Sequence, residues 1–201
     1  MRVRCRRKSI STIIAALLSL PMLTSIADGQ QGAPTKPADE KAKMEFSLRG
    51  QRDAHAIKYG DWQKFCFKTP GTKTVCRTTI SGKWETGQSA VRVDLIEREG
   101  EAAARLQLFL PVGLYLQAGA SLTVDQGKPF RIPFAWCLTN TCIAGDLANP
   151  ALIRQMETGQ QLKLEVADTN LLSVSTMLPL SQFASVRKSA PSRTFVQDVD
   201  E

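Results

Sequence analysis

Histidine is nearly absent from these 201 residues, His55 being the single one. A Ser-His-acid triad, a Cys-His dyad and a multi-histidine metal site all depend on that side chain, so each lacks its central group or a scaffold to hold it. Also missing are a G-x-S-x-G elbow, a glycine-rich phosphate loop and an H-E-x-x-H pair. No long apolar run follows residue 30, which excludes a multi-span membrane protein. No internal repeat is visible. Hydrophobic content of 43% with 22% charged residues lies in the globular range and excludes a fully disordered chain.

The basic excess is less than it looks. Of the formal net charge of +7, five charges come from Arg2, Arg4, Arg6, Arg7 and Lys8. Beyond residue 27 there are 21 basic against 19 acidic residues, a net +2. A nucleic-acid partner therefore loses its main support. The same five cations open a targeting segment: a charged start, an apolar run from Ile10 to Leu20, then Ser25-Ile26-Ala27 with small residues at both cleavage positions. Residues 1–27 read as a secretory signal peptide cut after Ala27, the alternative being an uncleaved anchor. Cys5 precedes the apolar run, whereas a lipoprotein cysteine follows it. The expected location is the periplasm, the outer surface or the medium, with no transmembrane segment after cleavage.

Residues 28–57 carry Gly29, Gly32, Pro34 and Pro37 among polar residues and too few apolar ones to bury, so they read as a flexible linker containing His55. From Tyr59 the texture alternates: Val91, Val93 and Leu95 against Arg92 and Asp94; Leu106, Leu108 and Leu110 against Arg105 and Gln107; Leu162, Leu164 and Val166 against Lys163 and Glu165. Period two predicts half-buried strands. Turn residues at Pro70-Gly71, Ser81-Gly82, Glu99-Gly100, Gln126-Gly127 and Asp168-Thr169-Asn170 separate them. Pro111 and Gly113 mark a bulge or a corner. One short helix is signalled near 150–158, with Asn149 as cap, Pro150 at the first position and Gly159 after the end. Pro179 to Val186 reads as a last turn, and 189–201 as a disordered tail. The expected fold is all-β: an immunoglobulin-like β-sandwich of about 8–9 antiparallel strands over residues 58–188.

Without Cys5 the cysteines form an even set, Cys66, Cys76, Cys137 and Cys142, which permits three pairings. Cys66 and Cys76 flank the Pro70-Gly71 turn, and Cys137 and Cys142 flank Thr139-Asn140-Thr141, so local bridges need only structure already predicted. A zinc site would want C-x₂₋₄-C twice, which Cys137-x₄-Cys142 meets and Cys66-x₉-Cys76 does not, and a redox pair would want C-x-x-C at a helix start, which neither spacing gives. No cofactor, metal or catalytic residue is expected.

Asp94 and Glu97 read as a solvated face rather than a catalytic carboxylate pair. The stripe Phe130, Ile132, Phe134 and Trp136 and the segment Leu110–Leu116 are expected to face the core, as is Trp62. Trp84, with Lys83 and Glu85 beside Gly82 and Gly87, sits in the candidate interaction loop Ser81–Ser89, either as an interface anchor or as a lid folded on the sheet edge.

Gly60-Asp61-Trp62 with Cys66 and Cys76, then Leu110-Pro111-Val112-Gly113-Leu114-Tyr115-Leu116 and Gly119, then Phe134-Ala135-Trp136-Cys137-Leu138-Thr139-Asn140-Thr141-Cys142, then Leu180-Ser181-Gln182-Phe183, resembles the invasion-associated locus B family of exported bacterial proteins. The resemblance covers about residues 59–186. One departure is Gln182, where the family tends to have glycine. The family is named for a role in invasion of host cells. The resemblance implies a signal peptide, an immunoglobulin-like sandwich and no established catalytic residues. The expectation is an exported, non-enzymatic, disulfide-stapled binding module of the bacterial envelope, associated by family with invasion or virulence, whose partner is an unidentified protein or envelope component. The rival expectation is an envelope enzyme, either thiol-disulfide or carbohydrate-active.

Overall fold

The structure, a computed structural model, describes residues 47–54 and 57–196. The signal-peptide reading, most of the linker and His55 lie outside the described residues. In chain order the elements are β1 (Gly50–Asp53), β2 (Lys58–Tyr59), β3 (Gln63–Lys68), β4 (Val75–Lys83), β5 (Ser89–Arg98), β6 (Arg105–Leu110), a 3-10 turn at Leu116–Ala118, β7 (Ala120–Val124), β8 (Phe130–Ile132), β9 (Phe134–Cys137), β10 (Cys142–Leu147), α1 (Pro150–Thr158), β11 (Gln161–Ala167), β12 (Leu172–Pro179), α2 (Phe183–Lys188) and β13 (Arg193–Val196).

The strands form two sheets. One has five strands in the order β1-β12-β11-β7-β8; the other has eight, in the order β13-β3-β4-β5-β6-β10-β9, with β2 also paired to β4. The fold is a β-sandwich, as the alternation predicts. Its core is the inward side of both patterns: Ile80, Val93, Leu95, Leu106 and Leu108 from the larger sheet meet Leu122, Leu162, Leu164 and Leu178 from the smaller.

Thirteen strands appear among the described residues rather than eight or nine, and two of the added ones fall outside 58–188. β1 lies in the stretch read as linker and β13 in the stretch read as tail. Both pair in parallel, β1 with β12 and β13 with β3. Parallel neighbours need no hairpin turn between them, so no local turn signal announces the pairing.

One end of the sandwich is closed by helices. Asn149 Oδ1 accepts from Ala151 N at 2.8 Å, Pro150 opens α1, and Leu152 and Met156 are buried beneath it. α2 is longer than the single turn expected and is tied in by ions: Arg187 reaches Glu97 at 2.6 Å and Glu157 at 2.9 Å, while Lys64 Nζ donates to the carbonyls of Arg187 and Ser189. Burial pushes the Glu157 carboxyl up, but hydrogen bonds from Lys188 and Arg187 outweigh it and hold that group below its ordinary value. Gln182 has φ −100°, a conformation that requires no glycine. Its amide accepts from Trp62 N at 3.2 Å and donates to Asp61 Oδ1 at 3.0 Å. The departure at this position therefore clasps the Gly60-Asp61-Trp62 segment to α2. Trp62 itself is core, 4.8 Å from the Phe183 ring and donating from Nε1 to the Pro179 carbonyl.

Candidate functional site

The opposite end of the sandwich is closed by loops, and the chain fixes them in two ways. Between β4 and β5 the turn is held by Trp84 N donating to Gln88 O and Gly87 N donating to Trp84 O, both at 2.9 Å, with Gly87 at φ +84°. Between β9 and β10 the turn is covalent: Cys137 and Cys142 stand opposite each other in register and are bridged. Leu138 N donates to Thr141 O at 2.7 Å, and Thr141 Oγ1 donates to Leu110 O at 3.0 Å, which sets Asn140 and Thr141 beside the end of β6. Cys66 and Cys76, also in register, bridge β3 to β4 at the helical end, where Cys76 pairs with Glu97. The pairing expected from the turns is thus the pairing found, and all four sulfurs are occupied as cystines.

Trp84 is half-buried and packs against the core, while Lys83 and Glu85 are exposed. Its indole roofs an apolar recess of about 150 Å³, lined among others by Ala90, Leu110, Leu114, Leu164 and Val174. Two polar clefts flank the same ring. The first, about 580 Å³, runs between Gln88, Ser89 and Arg92 on one side and Phe109, Asn140 and Thr141 on the other. The second, about 600 Å³, holds Lys58, Asp61, Gln63, Lys83 and Glu85. Trp84 is therefore both a lid on the sandwich and the wall between two clefts.

Tyr59 stands beside the second cleft. Its ring lies over Gly82, where a Cβ would meet Tyr59 Cε1 and Ile57 Cγ2 at 2.6 Å each, so the close approach requires glycine. The hydroxyl is 2.9 Å from Thr176 Oγ1 on β12 and links the sheets across this end. Burial pushes the Tyr59 phenol up to about 12, with the Thr176 hydrogen bond acting the other way.

Three expectations need correction. Trp136 is not core: it is 54% exposed, because the chain leaves one sheet and joins the other at Pro133, so Phe130 and Ile132 belong to β8 while Phe134 and Trp136 belong to β9. In Leu110–Leu116 the break at Pro111 and Gly113 (φ +88°) leaves Leu110 buried and turns Val112 and Leu116 outward. Asp94 is no solvated carboxylate. It is 1% exposed, accepts from Thr79 Oγ1 at 2.5 Å and Arg92 Nε at 3.2 Å, and lies 3.7 Å from Arg77 Nη1. Glu97, an odd number of residues along β5, faces the other side and pairs with Arg187.

The cleft residues Arg92, Phe109, Asn140 and Thr141 were not singled out by the sequence. Arg92 read as an ordinary outward polar residue, and the signals for Asn140 were its place between two cysteines and in the stretch that carries the family resemblance. Among the described residues no group of three or more His, Cys, Asp and Glu is gathered as for a metal ion, and no helix is long and apolar enough to cross a membrane.

A family model described as Invasion associated locus B (IalB) protein matches residues 62–191. No curated protein gives a match. Among solved structures, the crystal structure of invasion associated protein B from Bartonella henselae is similar at a TM-score of 0.57 and 19% identity, over 65% of this chain and 90% of that one. That likeness is one of fold. The matched stretch runs from Trp62 past α2 and contains both cystines, the bonded form expected of an extracytoplasmic protein. On that match, the chain belongs to the invasion associated locus B family.

Proposed function

We propose that this protein is a non-enzymatic binding module of the bacterial envelope that engages its ligand at the loop end of the sandwich. The observation that carries this reading is the cleft between the β4–β5 turn and the cystine-closed β9–β10 turn, where an indole, a guanidinium, a phenyl ring and amide side chains converge. Rigid strands fix the bases of both turns, and an apolar wall with a few placed polar groups is the composition of ligand sites. The family name associates its members with invasion, and the structural relative is titled an invasion associated protein. A role for this chain in contact with a host or envelope component follows from those names by analogy of family.

The test uses capture from envelope extract by the immobilised mature protein. Gln88→Ala and Asn140→Ala alter exposed walls and should leave stability within about 0.5 kcal/mol. Trp84→Ala removes the lid as well and should cost about 3 kcal/mol or more. Capture lost in the first two variants with an unchanged Tm is the expected result. Capture retained in all three overturns the site.

A further inference from the structure

We infer that the outer face of the eight-stranded sheet is a docking surface for an acidic protein segment. This surface is separate from the loop-end cleft and stands on its own observations, although Arg92 and Phe109 border both.

Strand register lays out the face. One cross-strand row reads Arg193, Phe65, Arg77, Ile96, Arg105 and Leu147; another reads Ser81, Arg92, Phe109, Ile143 and Trp136. The first of these rows alternates cation with apolar group, and the second sets one cation among aromatic and aliphatic groups. The outward side of a sandwich sheet ordinarily carries mixed polar residues. Between these rows the only carboxylate is Asp94, buried to 1% exposure and occupied by Thr79 and two arginines. Arg77, Arg92, Arg98, Arg105 and Arg193 face outward, and among the described residues the one carboxylate paired with them besides Asp94 is Glu101, 3.6 Å from Arg98. The face is strongly cationic although the chain beyond residue 27 is nearly neutral.

These guanidiniums are held in place. Arg92 lies 3.6 Å above the Phe109 ring, Arg193 4.9 Å from Phe195, and Arg77 5.7 Å from Phe67, which itself stacks on Phe195. Rings beneath and a buried carboxylate between them remove much of the rotamer freedom that a long cation loses on binding. The Nε of Arg77 is buried with no hydrogen-bond partner among the described residues.

The choice of arginine identifies the partner. A planar fork matches a carboxylate through two parallel bonds, and arginine with tryptophan is enriched at protein interfaces where lysine is depleted. No lysine stands in either row. An anionic lipid surface accepts either cation and rewards apolar tips that project beyond the charges. Here the phenyl rings lie under the guanidiniums and the exposed apolar tips, Trp136 and Leu147, stand on β9 and β10 at one edge of the sheet, so a segment approaching over β3 to β6 meets charge first and apolar area second. A flat segment bearing Asp and Glu with apolar residues between them fits that order.

The experiment measures binding of the mature protein to a random glutamate–tyrosine copolymer, with polylysine and vesicles of phosphatidylcholine and phosphatidylglycerol as comparison probes. Arg105→Glu/Arg193→Glu reverses two exposed charges on the face. Lys128→Glu/Arg154→Glu makes the same change of net charge elsewhere. The expected result is binding to the acidic copolymer alone, weakened at least about tenfold by the first pair and much less by the second. Absence of copolymer binding, equal loss in both pairs, or vesicle binding in its place overturns the inference. Trp84→Ala separates the two surfaces: copolymer binding that is lost there and kept in Arg105→Glu/Arg193→Glu overturns the docking face while leaving the cleft reading intact.

Discussion

At the scale of single residues, Tyr59 offers a reading that ordinary titration can check. Burial keeps its phenol protonated until about 12, whereas the unfolded chain loses that proton near 10. A folded group that holds its proton longer contributes stability that is present below the unfolded pKa and lost as pH rises through the folded one. Melting temperature should therefore fall between pH 10 and 12, and the tyrosinate absorbance of the native protein should show a late step near 12 that Tyr59→Phe abolishes. A native titration with no step above 11 would count against the packing of Tyr59 over Gly82. Residue identity was readable where one local rule decides it: the cystine partners, Asn149 as cap, Trp62 as core. It failed where the rule assumes a straight strand. Phe130 to Trp136 alternate in sequence, yet Pro133 divides them between two sheets, so a single inward face never existed. Asp94 failed for a different reason, since an alternating pattern tells only that a residue points away from the core, not that arginines cover it.

Elements were legible when their signals are local. Hairpins with turn residues, the capped helix α1 and the alternation of β5, β6 and β11 follow from neighbours within ten residues, with one correction: Ser81, Gly82 and Lys83 belong to β4, Gly82 being there for the close approach of Tyr59, and the turn begins at Trp84. β1 and β13 have no such signal: each is four residues long and finds its partner more than 100 positions away. The cystines act at this scale too, closing loops with sequence separations of 10 and 5, each worth about 2–3 kcal/mol. Because they staple opposite ends of the larger sheet, their removal should separate two properties. Cys66→Ala/Cys76→Ala should lower Tm and leave ligand capture intact. Cys137→Ala/Cys142→Ala should lower Tm by a similar amount and also weaken capture, since Asn140 and Thr141 lose their anchorage. Equal capture by the two variants would dissociate the cleft from the cystine turn. Reducing both bridges withdraws about 4–6 kcal/mol from a stability on the order of 5–15 kcal/mol.

For the molecule as a whole, the two-layer plan was visible in the sequence but its extent was not. Composition around residue 50 and after residue 188 is polar enough to read as chain that cannot fold, and alone it would not. What holds these stretches is a pre-existing edge: Arg49 N donates to Leu171 O and Ala54 N to Ser175 O on either side of β1, and Phe195 stacks 5.2 Å from Phe67 beneath β13. A chain trimmed to 58–188 should therefore lose at least about 2 kcal/mol, or roughly 4–8 °C in Tm at this size. One spanning 48–196 should melt as the chain from residue 28 does, with limited proteolysis stopping near those positions. Proteolysis that trims to 58 and 188 without loss of Tm would show both strands to be ornaments.

The pairing of β13 with β3 also sets a timetable. Residue 193 lies beside residue 65, so in a chain that emerges N-terminus first the edge of β3 stays exposed until residues 193–196 have emerged. A long-lived open edge invites pairing with another chain. The Cys66–Cys76 bridge spans ten positions and needs nothing that arrives later, so it can lock β3 onto β4 while the remainder is still in transit. The bond leaves the β13-facing edge of β3 open but fixes that strand's register on β4, so the edge waits in its final place for β13, and an oxidant met early should matter more to yield than one met late.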